Sequence, residues 1–179
     1  MDNLANKKLL IISGSKNDIS FVQAAKEMGI YTICCDGHTD WSRSPAKQAA
    51  DEGWNIDYSH TEEVARKCLE EGVDGVIAGY SEHRVMAACK IARAIGKPFY
   101  ATEEQIDISR DKKQFKALCQ RNGIPVPADY CGKLPLTQQQ RDAIVYPVIV
   151  KPADSAGRKR ISVCYSEQAL DIALENAVR

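Results

Sequence analysis

The sequence predicts an α/β protein: a doubly wound parallel sheet covered by helices, Rossmann-like in outline, followed by a small α+β unit. Three observations predict it. Short apolar runs recur at residues 8–12, 31–35 and 74–78, and each ends in a turn containing Gly or Ser. Between them lie stretches whose apolar residues repeat at helical spacing and stop at Gly29, Gly72 and Gly96. From residue 109 the rhythm changes to a helix, a proline-rich connector and two strand-like runs with a helix on each side.

KLLII (8–12) reads as a buried strand closed by Ser13-Gly14-Ser15. Asp18 opens a helix with Ile19, Val22, Ala25 and Met28 on one face, ended by Gly29. Tyr31–Cys35 is the second strand, ended by Asp36-Gly37. Residues 38–60 are mixed, with a short strand near Trp54-Asn55-Ile56. Thr61 and Glu63 open a helix along Val64, Ala65, Cys68 and Leu69 that stops at Gly72. DGVIA (74–78) is the next strand, with Gly79-Tyr80-Ser81 as its exit. A helix from Glu82 follows to Gly96, and Pro98-Phe99-Tyr100 reads as a last short strand. In such sheets ligands collect beyond the carboxyl ends of the strands, here 13–16, 36–39 and 79–82. Ser109 is expected to cap the first helix of the second unit, along Phe115, Leu118 and Cys119. Ile124–Pro127 is extended, because proline biases the residue before it to β or polyproline geometry. Tyr130–Cys131 reads as a strand, Thr137 caps a helix to about Val145, and Val148–Val150 and Ile161–Tyr165 form a hairpin before a final helix. The expected division is 1–108 and 109–179.

The 179 residues carry 24 basic and 24 acidic side chains, so no global field favours nucleic acid or an anionic membrane surface. The first apolar run, Leu9–Ile12, is too short for a signal peptide or a membrane span. Seven cysteines at irregular spacing, with no C-x-x-C, read as reduced core thiols of a cytoplasmic protein. His38, His60 and His83 lack metal-ligand spacing. Lys16 stands where a dinucleotide fingerprint needs its second glycine, which argues against NAD.

YPVIVKPADSAGRKRIS (146–162) raises the functional question. An ammonium at the end of an apolar strand is costly to bury unless it is paired. Lys151 therefore either reaches solvent or a carboxylate such as Asp154, or it meets an anion. In the second reading the small residues Ala153, Ser155, Ala156 and Gly157 let backbone N–H groups approach a phosphate, and Lys151 adds a point charge. A Walker A loop is absent.

SRDKKQFK (109–116), GIPVP (123–127) and YPVIVKPADSAG (146–157) together resemble the start of an ATP-grasp domain. AAKEMGIYTICCD (24–36), DGVIAGYSE (74–82) and AIGKP (94–98) resemble the pre-ATP-grasp domain that precedes it in the biotin carboxylase and carbamoyl-phosphate synthetase branch. The resemblance covers nearly the whole chain. It implies that Lys112 reaches nucleotide phosphates and that Lys151 contacts the α-phosphate and adenine side. It also implies that residues 154–160, with Ser155, Ala156, Gly157, Arg158 and Lys159 as ATP contacts, form a flap over the β- and γ-phosphates. Arg160 departs from the pattern S-x-G-S-[KR]-G by replacing its last glycine. Ser81-Glu82 reads first as a helix-capping pair; the resemblance implies instead that Ser81 and Glu82, with Gly14 and Ser15, meet an acceptor substrate in the crevice at the strand exits. By the same resemblance the longer enzyme uses ATP and Mg²⁺ to activate a small carboxylate as an acyl phosphate for attack by an amine or similar nucleophile. The resemblance implies that the lobe carrying the metal ligands and catalytic groups is expected after residue 179, the chain being either a fragment of a longer enzyme or a natural truncation. The chain is thus expected to be the inactive N-terminal part of a ligase, needing no metal of its own. ATP and the carboxylate are its expected partners, a homodimer is allowed, and neither nucleic acid nor membrane is expected. The alternative is a non-catalytic nucleotide-binding or interaction module with the same fold.

Overall fold

The structure is a computed structural model describing residues 4–130, 133–152 and 160–178. It divides into two compact units, Met1–Asp111 and Lys112–Arg179.

The first unit is built on four parallel strands: β1 (Lys8–Ile12), β2 (Tyr31–Cys35), β3 (Glu52–Trp54) and β4 (Gly75–Ala78), in the spatial order β3-β2-β1-β4. The chain winds outward from β1 to β3, then returns to place β4 on the other side of β1. That reversal makes β1/β4 the switch point of the sheet. Helices cover both faces, and alternation along the strands divides the core. Leu10, Ile12, Ile33 and Cys35 face α3 (Thr61–Glu71) and α4 (Glu82–Ala94), packing with Val64, Cys68, Ala88 and Ile91. Ile11 and Cys34 face α1 (Ile19–Glu27) and α2 (Pro45–Ala49), packing with Val22 and Ala46. The two clusters explain why β1, β2 and β4 read as continuous apolar runs, which the short edge strand β3 does not. Gly72 closes α3 in the left-handed region, with φ 66°. The six described cysteines are all buried thiols, and burial pushes those of Cys34, Cys35 and Cys68 up to about 12.

Several local expectations change. Asp18 lies in a 3-10 turn, Lys16–Asp18, from which α1 continues. The short strand expected near 54–56 is β3, two residues earlier. Pro98–Tyr100 is not a strand; Phe99 packs on the core and stacks on Tyr100 at 4.1 Å. Ser109 does not cap a helix. It sits in the last turn of α5 (Glu103–Arg110) and donates its hydroxyl to Ile106 O at 2.7 Å. The capping residue is Thr102, which accepts from Gln105 N while Gln105 accepts from Thr102 N. Asp111, with ψ 109°, breaks the helical path before α6 (Lys112–Arg121) begins.

Because both apolar clusters lie within residues 9–99, a chain ended after Asp111 should unfold in one cooperative thermal transition. A dye-binding product lacking fixed tertiary packing would show instead that the second unit completes its core.

In the second unit, Lys116 holds the 124–129 connector by pairing with Asp129 and donating to Pro127 O. A Thr137–Gln140 capping box starts α7 (Gln138–Asp142), which ends three residues short of Val145. The antiparallel hairpin of β5 (Val148–Val150) and β6 (Ser162–Cys164) packs one face on α8 (Glu167–Val178) through Val150, Cys164, Leu170 and Ala173. Tyr130 is not in a strand, and Cys131 lies outside the described residues.

Candidate functional site

The carboxyl ends of β1 and β4 bring together two of the sequence-predicted pairs, Gly14-Ser15 and Ser81-Glu82. What ties Ser15 to α4 is a residue that sequence reasoning assigned only to a helix start. Asp18 is buried, and its Oδ2 accepts from Ser15 N at 3.1 Å and from the Ser15 hydroxyl. The same oxygen faces Arg84 Nη1, from the first turn of α4, at 3.4 Å. Gly79, leaving β4, is small enough to pass Asp18: a Cβ there would stand 3.2 Å from Oδ1. The first-strand turn is thus held by its own carboxylate at the start of α1. The S-x-x-D spacing of Ser15 and Asp18 was the readable signal. Arg84 had none, because a charge in a first helical turn reads as solvent-facing.

Glu82 Oε2 lies 3.5 Å from Arg110 Nε. Beside this pair an open cleft of about 270 Å³ is lined by Tyr80, Val85, Tyr100 and Ile106.

A second buried charge pair fixes the exit of β2. Lys47 on α2 is 0% exposed, and its Nζ meets Asp36 Oδ1 at 2.6 Å. It also donates to Asp36 O at 3.0 Å, His38 O at 2.8 Å and Asn55 Oδ1 at 3.1 Å. The other Asp36 oxygen accepts from the Ser44 hydroxyl at 2.6 Å. Burial pushes the Asp36 carboxyl up, but hydrogen bonds from Lys47, Ser44 and His38 N outweigh it and hold it below the ordinary value. The Trp41 ring lies over Lys47 Nζ at 5.6 Å, and Trp41 Nε1 donates to Asn55 at 2.8 Å. Both stem and ring pass over Gly53, whose added Cβ would stand 2.5 Å from Lys47 Cγ and 2.6 Å from the ring. With every donor used internally, Lys47 acts as a clamp on the strand exits.

In the second unit Lys112 is the first residue of α6 and is half-buried. Lys151 follows β5 directly, is exposed, and has no carboxylate partner among the described residues. Its expected alternative partner, Asp154, and the predicted contacts Ser155, Ala156, Gly157, Arg158 and Lys159 lie outside the described residues. The hairpin's outer face is apolar and open. Ile149 and Val163 face each other across the strands at 64% and 51% exposure. Alternation along the strand puts Lys151 on the side of Ile149. Among the described residues no group of three or more His, Cys, Asp or Glu could hold a metal ion, and no helix is long and apolar enough to cross a membrane.

A doubly wound α/β unit whose strand exits form a crevice, followed by a hairpin unit with a lysine ending its first strand, is the N-terminal architecture of ATP-grasp ligases. The chain resembles proteins of that superfamily in sequence and in fold. No protein-family model matches it. It is 26% identical over 184 aligned residues, 96% of the chain, to the 2-oxoglutarate carboxylase small subunit of Hydrogenobacter thermophilus. It is 29% identical over 122 residues, 66% of the chain, to the carbamoyl phosphate synthase large chain of Rubrobacter xylanophilus. The crystal structure of N5-carboxyaminoimidazole ribonucleotide synthetase from Thermotoga maritima superposes on 93% of the chain with a TM-score of 0.68 and 27% identity. An ADP complex of an N5-carboxyaminoimidazole ribonucleotide synthetase, 22% identical, shares the fold over 99% of the chain with a TM-score of 0.72. The chain spans 38% of the length of the carboxylase subunit, 11% of that synthase chain and 43% of the Thermotoga maritima structure.

Proposed function

We propose that residues 1–179 supply the acceptor-side α/β domain and the first nucleotide-binding lobe of an ATP-dependent carboxylate ligase. The observation that carries the reading is the exposed Lys151 at the end of an apolar, open hairpin face. An ammonium beside Ile149 and Val163 suits a ligand with a flat apolar part and a phosphate, and the ADP-bound relative of the same fold supports that choice. In this reading Lys151 and Lys112 neutralise phosphate charge, Ser155, Ala156, Gly157, Arg158 and Lys159 add phosphate contacts, and Gly14, Ser15, Ser81 and Glu82 line the acceptor side. The Mg²⁺ that the class uses would neutralise phosphate charge in transfer; the described residues do not form a ligand set for it. The proposed compartment is the cytoplasm, and the proposed acceptor a small carboxylate.

Titrating the isotope-labelled chain with ATP and following amide resonances tests the proposal. Saturable shifts are expected at Ile149, Lys151 and Val163. Lys151→Ala should weaken binding by about 10- to 150-fold, the 1.5–3 kcal/mol of a lost charge-assisted hydrogen bond. Lys90→Ala, at an exposed lysine of α4, should leave binding unchanged. Equal loss in both variants would reduce the effect to net charge, and unaltered binding in Lys151→Ala would end the phosphate role.

A further inference from the structure

Arg160 stands in the left-handed region, with φ 59°. Glycine enters that region freely, whereas a residue with a Cβ is strained there. At the position where the loop pattern above has glycine, the backbone thus keeps a glycine conformation although the side chain is a long cation. Nothing in the chain offsets the strain. Arg160 is exposed, and among the described residues no carboxylate or carbonyl holds its guanidinium. A strained residue whose charged group is left open to solvent marks a contact made with something outside the protein.

The hairpin register says where that contact falls. Val150 pairs with Ser162. Carried on by two residues in each strand, the same register sets Arg160 opposite Pro152, one step beyond Lys151. Toward its open end the hairpin therefore presents the exposed apolar pair Ile149 and Val163, then Lys151, then Arg160. Each step advances about 3.3 Å. Two neighbouring cations without a described carboxylate favour an anion that carries charge on more than one group. We propose that Arg160 selects nucleoside di- and triphosphates over monophosphates. The proposal rests on the nucleotide reading above and adds a contact which that reading leaves out. With the ring against Ile149 and Val163 and the first phosphate at Lys151, the next phosphate comes to Arg160. The planar guanidinium donates to two phosphate oxygens at once, which no glycine side chain can do. A monophosphate ends short of Arg160 and gains nothing from it.

ATP, ADP and AMP are each titrated into the full 179-residue chain, with amide shifts as the readout. The native chain should bind ADP and ATP about tenfold or more tightly than AMP. Arg160→Asn removes the guanidinium and keeps a residue that tolerates the left-handed region. This variant should lose about tenfold or more in ADP and ATP affinity, keep its AMP affinity and show no fall in melting temperature. Arg160→Lys, with the charge but not the fork, should retain part of the preference. Lys151→Ala should weaken all three ligands. Unchanged ADP and ATP affinity in Arg160→Asn, with Lys151→Ala still weakened, would overturn the proposal and leave the nucleotide reading standing. An equal loss for AMP, or a lowered melting temperature with all three weakened, would reduce Arg160 to a structural role. No saturable binding of any of the three would overturn both readings.

Discussion

Lys47→Ala is expected to destabilise the first unit by about 3–5 kcal/mol, the range for removing one partner of a buried ion pair. The variant loses four polar contacts and leaves Asp36 buried without its cation. Chemical denaturation at neutral pH measures the effect, and a loss below about 1 kcal/mol would show that water replaces the ammonium at little cost. Lys47→Met, which keeps most of the stem, should recover little, because the uncompensated Asp36 charge remains. The pH dependence gives a second check. In the native protein the Asp36 carboxyl is held below its ordinary value. Its contribution is therefore present above the unfolded value of about 3.9 and is lost as pH falls through the lower folded one. In Lys47→Ala, burial acts on the carboxyl without the cation and raises its folded value, so protonation relieves the penalty. The stability gap between the two proteins should narrow as the pH is lowered.

The second large effect is expected at Gly14. A Cβ at this position would overlap Asp36 Oδ2 and stand 2.8 Å from Ser44 Cβ, and neither neighbour can give way. The carboxylate is held by Lys47 and by the Ser44 hydroxyl, and Ser44 is fully buried. Gly14→Ala should destabilise by about 3 kcal/mol or more, combining overpacking with damage to a charged hydrogen bond. Ser15→Ala, at the next residue of the turn, should cost about 1–2 kcal/mol, since Asp18 keeps Ser15 N and Arg84. Equal losses in the two variants would show that the turn, rather than the Asp36 contact, sets the requirement for glycine.

The parts of the fold that could be read in the sequence are those where local pattern and burial agree. β1, β2 and β4 are covered on both faces and so appear as unbroken apolar runs, while α3 and α4 show a repeated apolar face and a glycine stop. The parts that could not be read are held by distant contacts. α2 is five residues long and is fixed by Ala46 N donating to Gly14 O and by the burial of Lys47. No periodicity marks so short a helix, and a lysine in sequence reads as surface. For α5 the signal was present, a Thr-x-x-Gln box at 102–105, but the helix buries only Ile106 along its length. With so weak an apolar face, Ser109 competed as a start. The candidate site divides in the same way. Lys151 was legible because an apolar strand leads into it, whereas Asp18, Asp36 and Arg84 acquire their partners only when the strand exits are assembled.

The absence of a side chain at position 53 constrains descent as well as packing. With Gly53 in place, the lysine stem and the Trp41 ring share the space above β3. An ancestor or descendant with any Cβ at 53 would have to shorten residue 47 or swing residue 41 away, and a shortened residue 47 would strand Asp36 without its cation. Single steps away from this arrangement pass through an unstable intermediate. Positions 36, 41, 47 and 53 are therefore expected to be inherited as a block, so that substitutions at these four sites in a lineage of this protein would be found together or not at all.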